Sequence, residues 1–254
     1  MKAIKKTALS LGVALFWAAL WQIASMLIAN PLILPSPIET ILRLFELSTV
    51  REFWIFTGLS LLRIVLGIVI AIPSSWLLAG ICSRSKAVNL LFSPAVTLMK
   101  STPVVSFILI AIFLVDRHII PSAITFMMIF PVLFENVREG ISQAPKDLLE
   151  MASVFRISWI MKVKRIYIPA IKPFFFSALT TSVGLAVKAG VAAEVVAYIP
   201  DSIGKMLSDA KSYMEPADLL AWTVVIIAIG ILAEKAVSLI TRSAKRRVQN
   251  ASNQ

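Results

Sequence analysis

Cysteine is almost missing from this chain: Cys82 is the only one in 254 residues. A single thiol excludes an intrachain disulfide and a cysteine-rich metal cage. Histidine is as scarce. His118 stands alone between Arg117 and Ile119, with Asp116 as the one acid beside it, so neither a metal site nor a catalytic pair is available there. Charged residues make up only 15% of the chain, and they fall between apolar runs rather than within them. Bases outnumber acids, 25 to 14, but they are scattered over short loops with no nucleic-acid-binding motif around them, which argues against a nucleic acid partner. No Gly-x-x-x-x-Gly-Lys-Ser/Thr phosphate loop occurs, so the chain is not expected to bind ATP or any other cofactor itself. Nor is there an internal repeat or a second domain. The expectation is one domain over 1–254.

What is abundant is apolar. Hydrophobic residues make up 58% of the chain and the mean hydropathy is +0.86. Water would meet large apolar patches on a soluble domain of this kind, whereas a lipid bilayer would not. The segregation of charge fits the same solvent, because a charge at the centre of a spanning helix costs roughly 2.5–3.5 kcal/mol. Six apolar segments are expected as spans, at about 7–29, 57–81, 88–115, 119–134, 168–197 and 217–240. The fold class is therefore all-α, a polytopic membrane protein with six transmembrane helices. The N-terminus, with three lysines before an apolar run, resembles a signal peptide. Its run is long enough to cross about 30 Å of hydrocarbon, so it is read as an uncleaved anchor. A Pro-rich connector, Pro31 to Pro37, and a weakly amphipathic stretch at 38–50 separate the first two spans.

Loop charges set an orientation. With the N-terminus inside, 17 Lys and Arg fall in inside loops and five in outside loops. That bias requires an even number of crossings and puts both termini in the cytoplasm, as for a multi-pass protein of a bacterial inner membrane. The third segment is interrupted by Pro94 and Pro103. It is either a proline-kinked packing helix or a broken helix facing a pathway, because broken helices survive at membrane depth only against protein or a watery cavity.

The longest polar stretch, about 142–167, is the most informative. Leu148, Leu149, Ala152 and Phe155 recur at helical spacing and predict one apolar face. Lys146 and Asp147 stand at a plausible helix start after Pro145. Ser158 is a candidate cap for a second short helix through Ile166, which Pro169 would end. Such a loop packs its apolar face either on a partner's groove or on the chain's own span ends.

This loop resembles the Glu-Ala-Ala (EAA) signature of permease subunits of ATP-binding-cassette (ABC) importers. In that pattern a Gly follows four residues after the last Ala and Ile-x-Leu-Pro closes the loop. Glu150, Ala152, Ile166 and Pro169 match. Met151 and Ile168 depart, and Arg156 stands where the Gly is expected. The likeness is to the nitrate/sulfonate/taurine-type permeases in particular, and it extends beyond the loop over about 31–235. It includes Leu34-Pro35-Ser36-Pro37, Ser60-Leu-Leu-Arg63 through Gly67, Lys100 with Pro103, Ala193-Glu194, and Ser202-Ile-Gly204.

The resemblance implies a permease that pairs with a second copy, a homodimer in the simplest case, to form one translocation path. It implies ATP-binding subunits docked on a cytoplasmic two-helix coupling loop through Leu148, Leu149, Glu150, Ala152, Phe155, Arg156, Ile166 and Pro169. It also implies an extracytoplasmic solute-binding protein. Lys100, Pro103, Lys188 and Glu194 are the candidates for the path. Two span lysines against one span carboxylate favour an anionic solute; pairing of these charges between helices or across the two subunits is the other reading. Arg63 is expected to reach outward from its helix end. The competing function is an ion-coupled secondary transporter or channel without an ATPase, for which Glu194 is the only span acid available. A membrane enzyme would need clustered catalytic groups, and the sequence has none.

Overall fold

The computed structural model describes the backbone of residues 2–252 and the side chains of residues 12–241. All of the described secondary structure is helical. In order the helices are α1 (Lys2–Ile28), α2 (Pro37–Ser48), α3 (Arg51–Arg84), α4 (Lys86–Ser101), α5 (Val104–Leu114), α6 (Ile120–Ser142), α7 (Lys146–Val154), α8 (Trp159–Lys162), α9 (Ile168–Val196), α10 (Ile203–Ser212) and α11 (Pro216–Ser252). A 3-10 turn precedes α6, and a π-helical turn, Val163–Tyr167, joins α8 to α9.

Four stretches are long and apolar enough to cross a bilayer: Arg51–Arg84, Arg117–Ser142, Trp159–Val196 and Pro216–Thr241. A fifth crossing is available if α4 and α5, bent by 109° at their junction, count as one. The described apolar part of α1, Gly12–Ile28, is shorter than these. Among the described residues, four or five spans meet the length and composition of a crossing, so the multi-pass helical fold stands and the count of six is not confirmed.

Helix α6 is the centre of the bundle, packed along α3 on one side and α9 on the other. Helices α10 and α11 pack on α9, α2 packs on α11, and α1 touches mainly α2. Glycine allows the close approaches. A Cβ on Gly140 of α6 would fall 2.6 Å from Ile171 Cα of α9, and one on Gly190 of α9 would fall 2.5 Å from Ile64 Cγ1 of α3. Small residues let helix backbones approach in this way where lipid gives no hydrophobic push. The core is aliphatic and aromatic, with Ile64, Ile129, Leu133, Phe134 and Val137 at most 2% exposed.

Local chemistry explains the element starts. Ser36 caps α2 by accepting from Glu39 N, and Glu39 returns a bond from Ser36 N at 2.7 Å, with Pro37 at the first helical position. The stretch expected at 38–50 is thus a defined helix. Two expected boundaries move. Helix α6 runs to Ser142, eight residues past the predicted end at 134, because its polar last turns still bury Val137 and Gly140 against neighbours. The expected second loop helix is not separate either: α8, the π turn and α9 form one continuous stretch from Trp159. Pro169 lies at the start of α9, just after the π turn, and the chain stays helical through it although proline has no N–H to give the preceding turn.

Candidate functional site

The 142–167 loop lies at the end of the bundle where α3 and α6 finish and α9 begins. Helix α7 starts after Pro145 with Asp147 in its first turn, where a carboxylate complements the helix dipole. It ends in a Schellman motif: Ile157 N donates to Ala152 O at 2.9 Å and Arg156 N to Ser153 O at 3.1 Å. That motif needs a left-handed residue, and Arg156 provides it at φ 51°. Arg156, standing where the family pattern expects glycine, thus takes the left-handed conformation that a glycine adopts without strain.

The single apolar face predicted for α7 divides in two. Ala152 is buried and Leu149 half-buried, packed toward the bundle, while Leu148, Met151, Val154 and Phe155 are exposed. Apolar exposure continues through Ile157, Trp159 and Ile160. Glu150 and Arg156 are exposed within this patch, Ile166 is half-buried in the π turn, and Pro169 is exposed. A loop with this much uncovered apolar surface has the chemistry of a docking element.

At the opposite end of the bundle, motifs far apart in sequence meet. Glu194 of α9 is fully buried. Its Oε2 accepts from Ser60 Oγ at 2.7 Å and from Gly204 N at 3.3 Å, and its Oε1 accepts from Arg63 Nη1 at 3.3 Å. Arg63 also donates to the carbonyls of Pro200 and Asp201, both at 3.3 Å. Ser60 Oγ in turn accepts from Ile203 N, and Ser202 caps α10 by accepting from Lys205 N. Gly204 cannot carry a Cβ, which would collide with Glu194 Cβ and the Val195 amide. The Ser60–Arg63, Ala193-Glu194 and Ser202-Ile-Gly204 elements thus make one polar node tying α3, α9 and α10. Arg63 does not reach outward, as the sequence suggested; it turns inward because an unpaired buried carboxylate would cost more than desolvating the guanidinium. Between α2 and α11, Arg43 pairs with Asp218 and Glu46, and those bonds hold its guanidinium above its already high ordinary pKa.

The remaining path candidates separate. Pro103 caps α5 at the sharp bend, with Thr102 extended at φ −82°, ψ 133°. Lys100 Nζ bonds both carboxylate oxygens of Glu135, at 2.8 and 2.7 Å. Lys188 is exposed on α9 and makes no ion pair or hydrogen bond with any described residue. Ser177 and Thr181 are also exposed on α9, and with Lys188 they fall within a sector of about 40° on a helix of about 3.6 residues per turn. These three residues make a polar exposed stripe along a membrane-length helix.

Sequence reading missed Glu234. It lies within the expected sixth span and sets its carboxylate directly against Gly184 of α9, one turn below Lys188. Lys235, the next residue in the same span, offsets its charge, so Glu234 adds a carboxylate facing α9 without changing the balance of span charge. The adjacency of Glu234 to Lys235 in sequence disguised it as the start of a polar tail.

Comparison with known proteins follows this geometry. Residues 71–250 match the family described as the binding-protein-dependent transport system inner membrane component. The chain is 24% identical over 227 residues to a putative aliphatic sulfonates transport permease protein of Bacillus subtilis, covering 88% of this chain and 82% of that one. It is 28% identical over 191 residues to the nitrate import permease protein of Synechococcus elongatus, covering 70% and 67%. A crystal structure of an amino acid ABC transporter aligns with a TM-score of 0.60 at 16% identity, covering 76% of this chain and 92% of that chain, and so shares the fold. With its family motifs gathered on one helical bundle and most of its length matched, the chain belongs to the inner membrane permease family of binding-protein-dependent ABC importers.

Proposed function

We propose that this chain is the path-forming subunit of an ATP-driven importer for a small anion. Two copies pair around the open stripe of α9, with Ser177, Thr181 and Lys188 along the path. A separate binding protein delivers the solute at the end that carries the Glu194 node. ATP-binding subunits dock at the other end, on α7 and the turn that follows it. No cofactor is held by the chain itself; ATP belongs to the partner.

The observation that carries this reading is the exposed apolar surface of the 148–160 loop on a chain with no phosphate loop. A transporter powered by its own ion gradient has no use for such a surface. It would also need a titrating acid in the spans; Glu194 is committed to Arg63 and Ser60, which leaves Glu234 of α11 as the carboxylate such a mechanism would have to use. Support for an anion comes from Lys188, an unpaired cation on a membrane helix, and from the sulfonate and nitrate named for the two relatives.

The test is purification of the tagged chain from its native cells in mild detergent, beside Glu150→Lys and Phe155→Asp variants. An ATP-binding subunit should accompany the wild type and be depleted about tenfold in either variant, the loss expected for a contact of roughly 1.4 kcal/mol. A wild-type chain that emerges alone, under conditions that keep other membrane complexes intact, overturns the reading. Where uptake of labelled nitrate, bicarbonate or an alkanesulfonate is measurable, Lys188→Gln should reduce it; undiminished uptake removes Lys188 from the path.

A further inference from the structure

A cavity of about 390 Å³ opens beside the coupling loop, between the end of α3, the end of α6, α8 and the start of α9. Its volume is in the range of small-molecule sites, about 300–1,000 Å³. The walls are apolar: Trp76, Val137, Ile141, Val163, Ile168 and Ile171 contribute most of them. Ser83 also lines it but donates its hydroxyl to Ala79 O at 2.7 Å, which leaves two polar groups without a hydrogen-bond partner. Arg84 lies over the Trp159 ring, 4.7 Å from its centroid, and the Tyr167 hydroxyl is the other. Neither makes a hydrogen bond or ion pair with any described residue. Stacking on a ring uses the face of a guanidinium and leaves its in-plane N–H donors free for an anion.

Two further features mark the cavity as built. The π-helical turn Val163–Tyr167 forms part of its wall. π turns are rare, they widen the helix locally, and they concentrate at functional sites. Gly80 also lines it, and a Cβ added there would meet nothing within 4 Å. That glycine does not permit a helix crossing, as Gly140 and Gly190 do; it leaves the cavity empty.

We propose that this cavity binds one acyl chain of an anionic phospholipid of the inner leaflet, with the headgroup phosphate on Arg84. The occupant is argued from placement and charge. The cavity lies where two membrane-length helices end and one begins, so its apolar walls continue the apolar surface of those helices. Arg84 is the basic residue of the lining, and the elements that form the cavity also carry Arg138, Lys162, Lys164 and Arg165 in sequence beside lining residues. Basic pockets between span ends are established headgroup sites on the cytoplasmic side of membrane proteins. An apolar slot with a cation at its rim suits an amphiphile and disfavours a compact hydrophilic anion. Because Trp159 and the π turn are the hinge between α7 and α9, a bound chain would brace the loop on which ATP-binding subunits dock. The sidedness in this inference rests on the permease reading above.

The test uses the purified full-length chain, delipidated in detergent, with phosphatidylglycerol and phosphatidylcholine of matched chains as probes. Native mass spectrometry reads bound lipid and a thermal melt reads stabilisation. Wild type should retain one phosphatidylglycerol at least about tenfold more tightly than phosphatidylcholine. Gly80→Leu adds a side chain at a lining position where a Cβ meets nothing within 4 Å, and should lose that bound lipid while keeping its own melting transition. Arg84→Gln should still bind but no longer discriminate between the two headgroups. Equal binding of phosphatidylglycerol by wild type and a folded Gly80→Leu overturns the site, and equal headgroup affinities in wild type overturn the anionic assignment. Loss of the co-purifying ATP-binding subunit from Gly80→Leu, with lipid binding intact, assigns the cavity to protein docking and overturns the inference. Absence of that subunit from wild type bears on the permease reading alone.

Discussion

Arg156 holds a backbone conformation that L-residues avoid, because in the left-handed region the Cβ crowds the following carbonyl at a cost of about 1–2 kcal/mol. Nothing in the described structure compensates: the side chain is exposed, and it makes no ion pair with a described residue. Arg156→Gly should therefore stabilise the chain by about 1 kcal/mol, a rise of about 2–4 °C in melting temperature for a protein of this size. A melt of the purified variant checks it; an unchanged or lower transition would mean the arginine has a compensating contact in the assembled transporter. The need for a turn here was legible in the sequence, since the family pattern places glycine at this position. Its solution was not, because a Schellman motif is defined by two backbone bonds that any residue can make. The same applies at Tyr198 and Met214, which take φ 50° and 59° at the ends of α9 and α10. None of the described glycines has a positive φ; those at the helix crossings serve packing instead, which composition could not foretell. Glu194 shows the other limit. Its position invited a pathway role, and only the fold brings Arg63, 131 positions away, to its carboxylate.

The bend between α4 and α5 has a local cause in Pro103. Proline disfavours the α region for the residue before it, and Thr102 is accordingly extended. Proline also has no N–H to give to the preceding turn. Pro103→Ala removes both obstacles. If they alone hold the 109° break, the helix should extend across it, and amide exchange over residues 102–106 should slow by about tenfold, the change expected for roughly 1.4 kcal/mol of added protection. Unchanged exchange would assign the bend to the packing of α5 on α6 and α9. This break was readable from the sequence because proline acts on its neighbours through covalent geometry. The continuity of α8 with α9 was not. Ser158, Pro169 and the basic run Lys162 to Arg165 all resemble boundary signals, yet a π turn absorbs the mismatch and the chain stays helical. Likewise the hydrophobic spacing of α7 located the helix correctly but could not say that Leu149 and Ala152 turn inward while Leu148 and Phe155 stay outside. In a helix this short, nearly every face carries an apolar residue, and tertiary contact decides which is covered.

At the scale of the molecule, the two polar ends do different work. One end is locked: Glu194, Arg63 and Ser60 tie α3 to α9 and α10, and Arg43 with Asp218 ties α2 to α11. Breaking a buried pair of this kind typically costs about 3–5 kcal/mol, so this end moves as a rigid unit. The other end has an exposed apolar loop and a cavity beside it, and under the proposed function it is the end at which the ATP-binding subunits act. Sidedness decides whether that division makes sense, because ATP is cytoplasmic. The excess of Lys and Arg on the loops of the open end predicts that it faces the cytoplasm. Cysteine scarcity makes the test clean. Cys82 is 4% exposed and should not react, so wild type serves as the blank. Gln143→Cys probes the open end at the close of α6, and Tyr213→Cys probes the locked end, where Tyr213 is 73% exposed. A membrane-impermeant maleimide should label Tyr213→Cys in intact spheroplasts and leave Gln143→Cys untouched until the membrane is inverted. The reverse pattern would put the loop outside, away from ATP, and the importer mechanism would fail with it. Labelling of both positions from one face would mean that an odd number of crossings fails to separate them, which contradicts α9 as a single span.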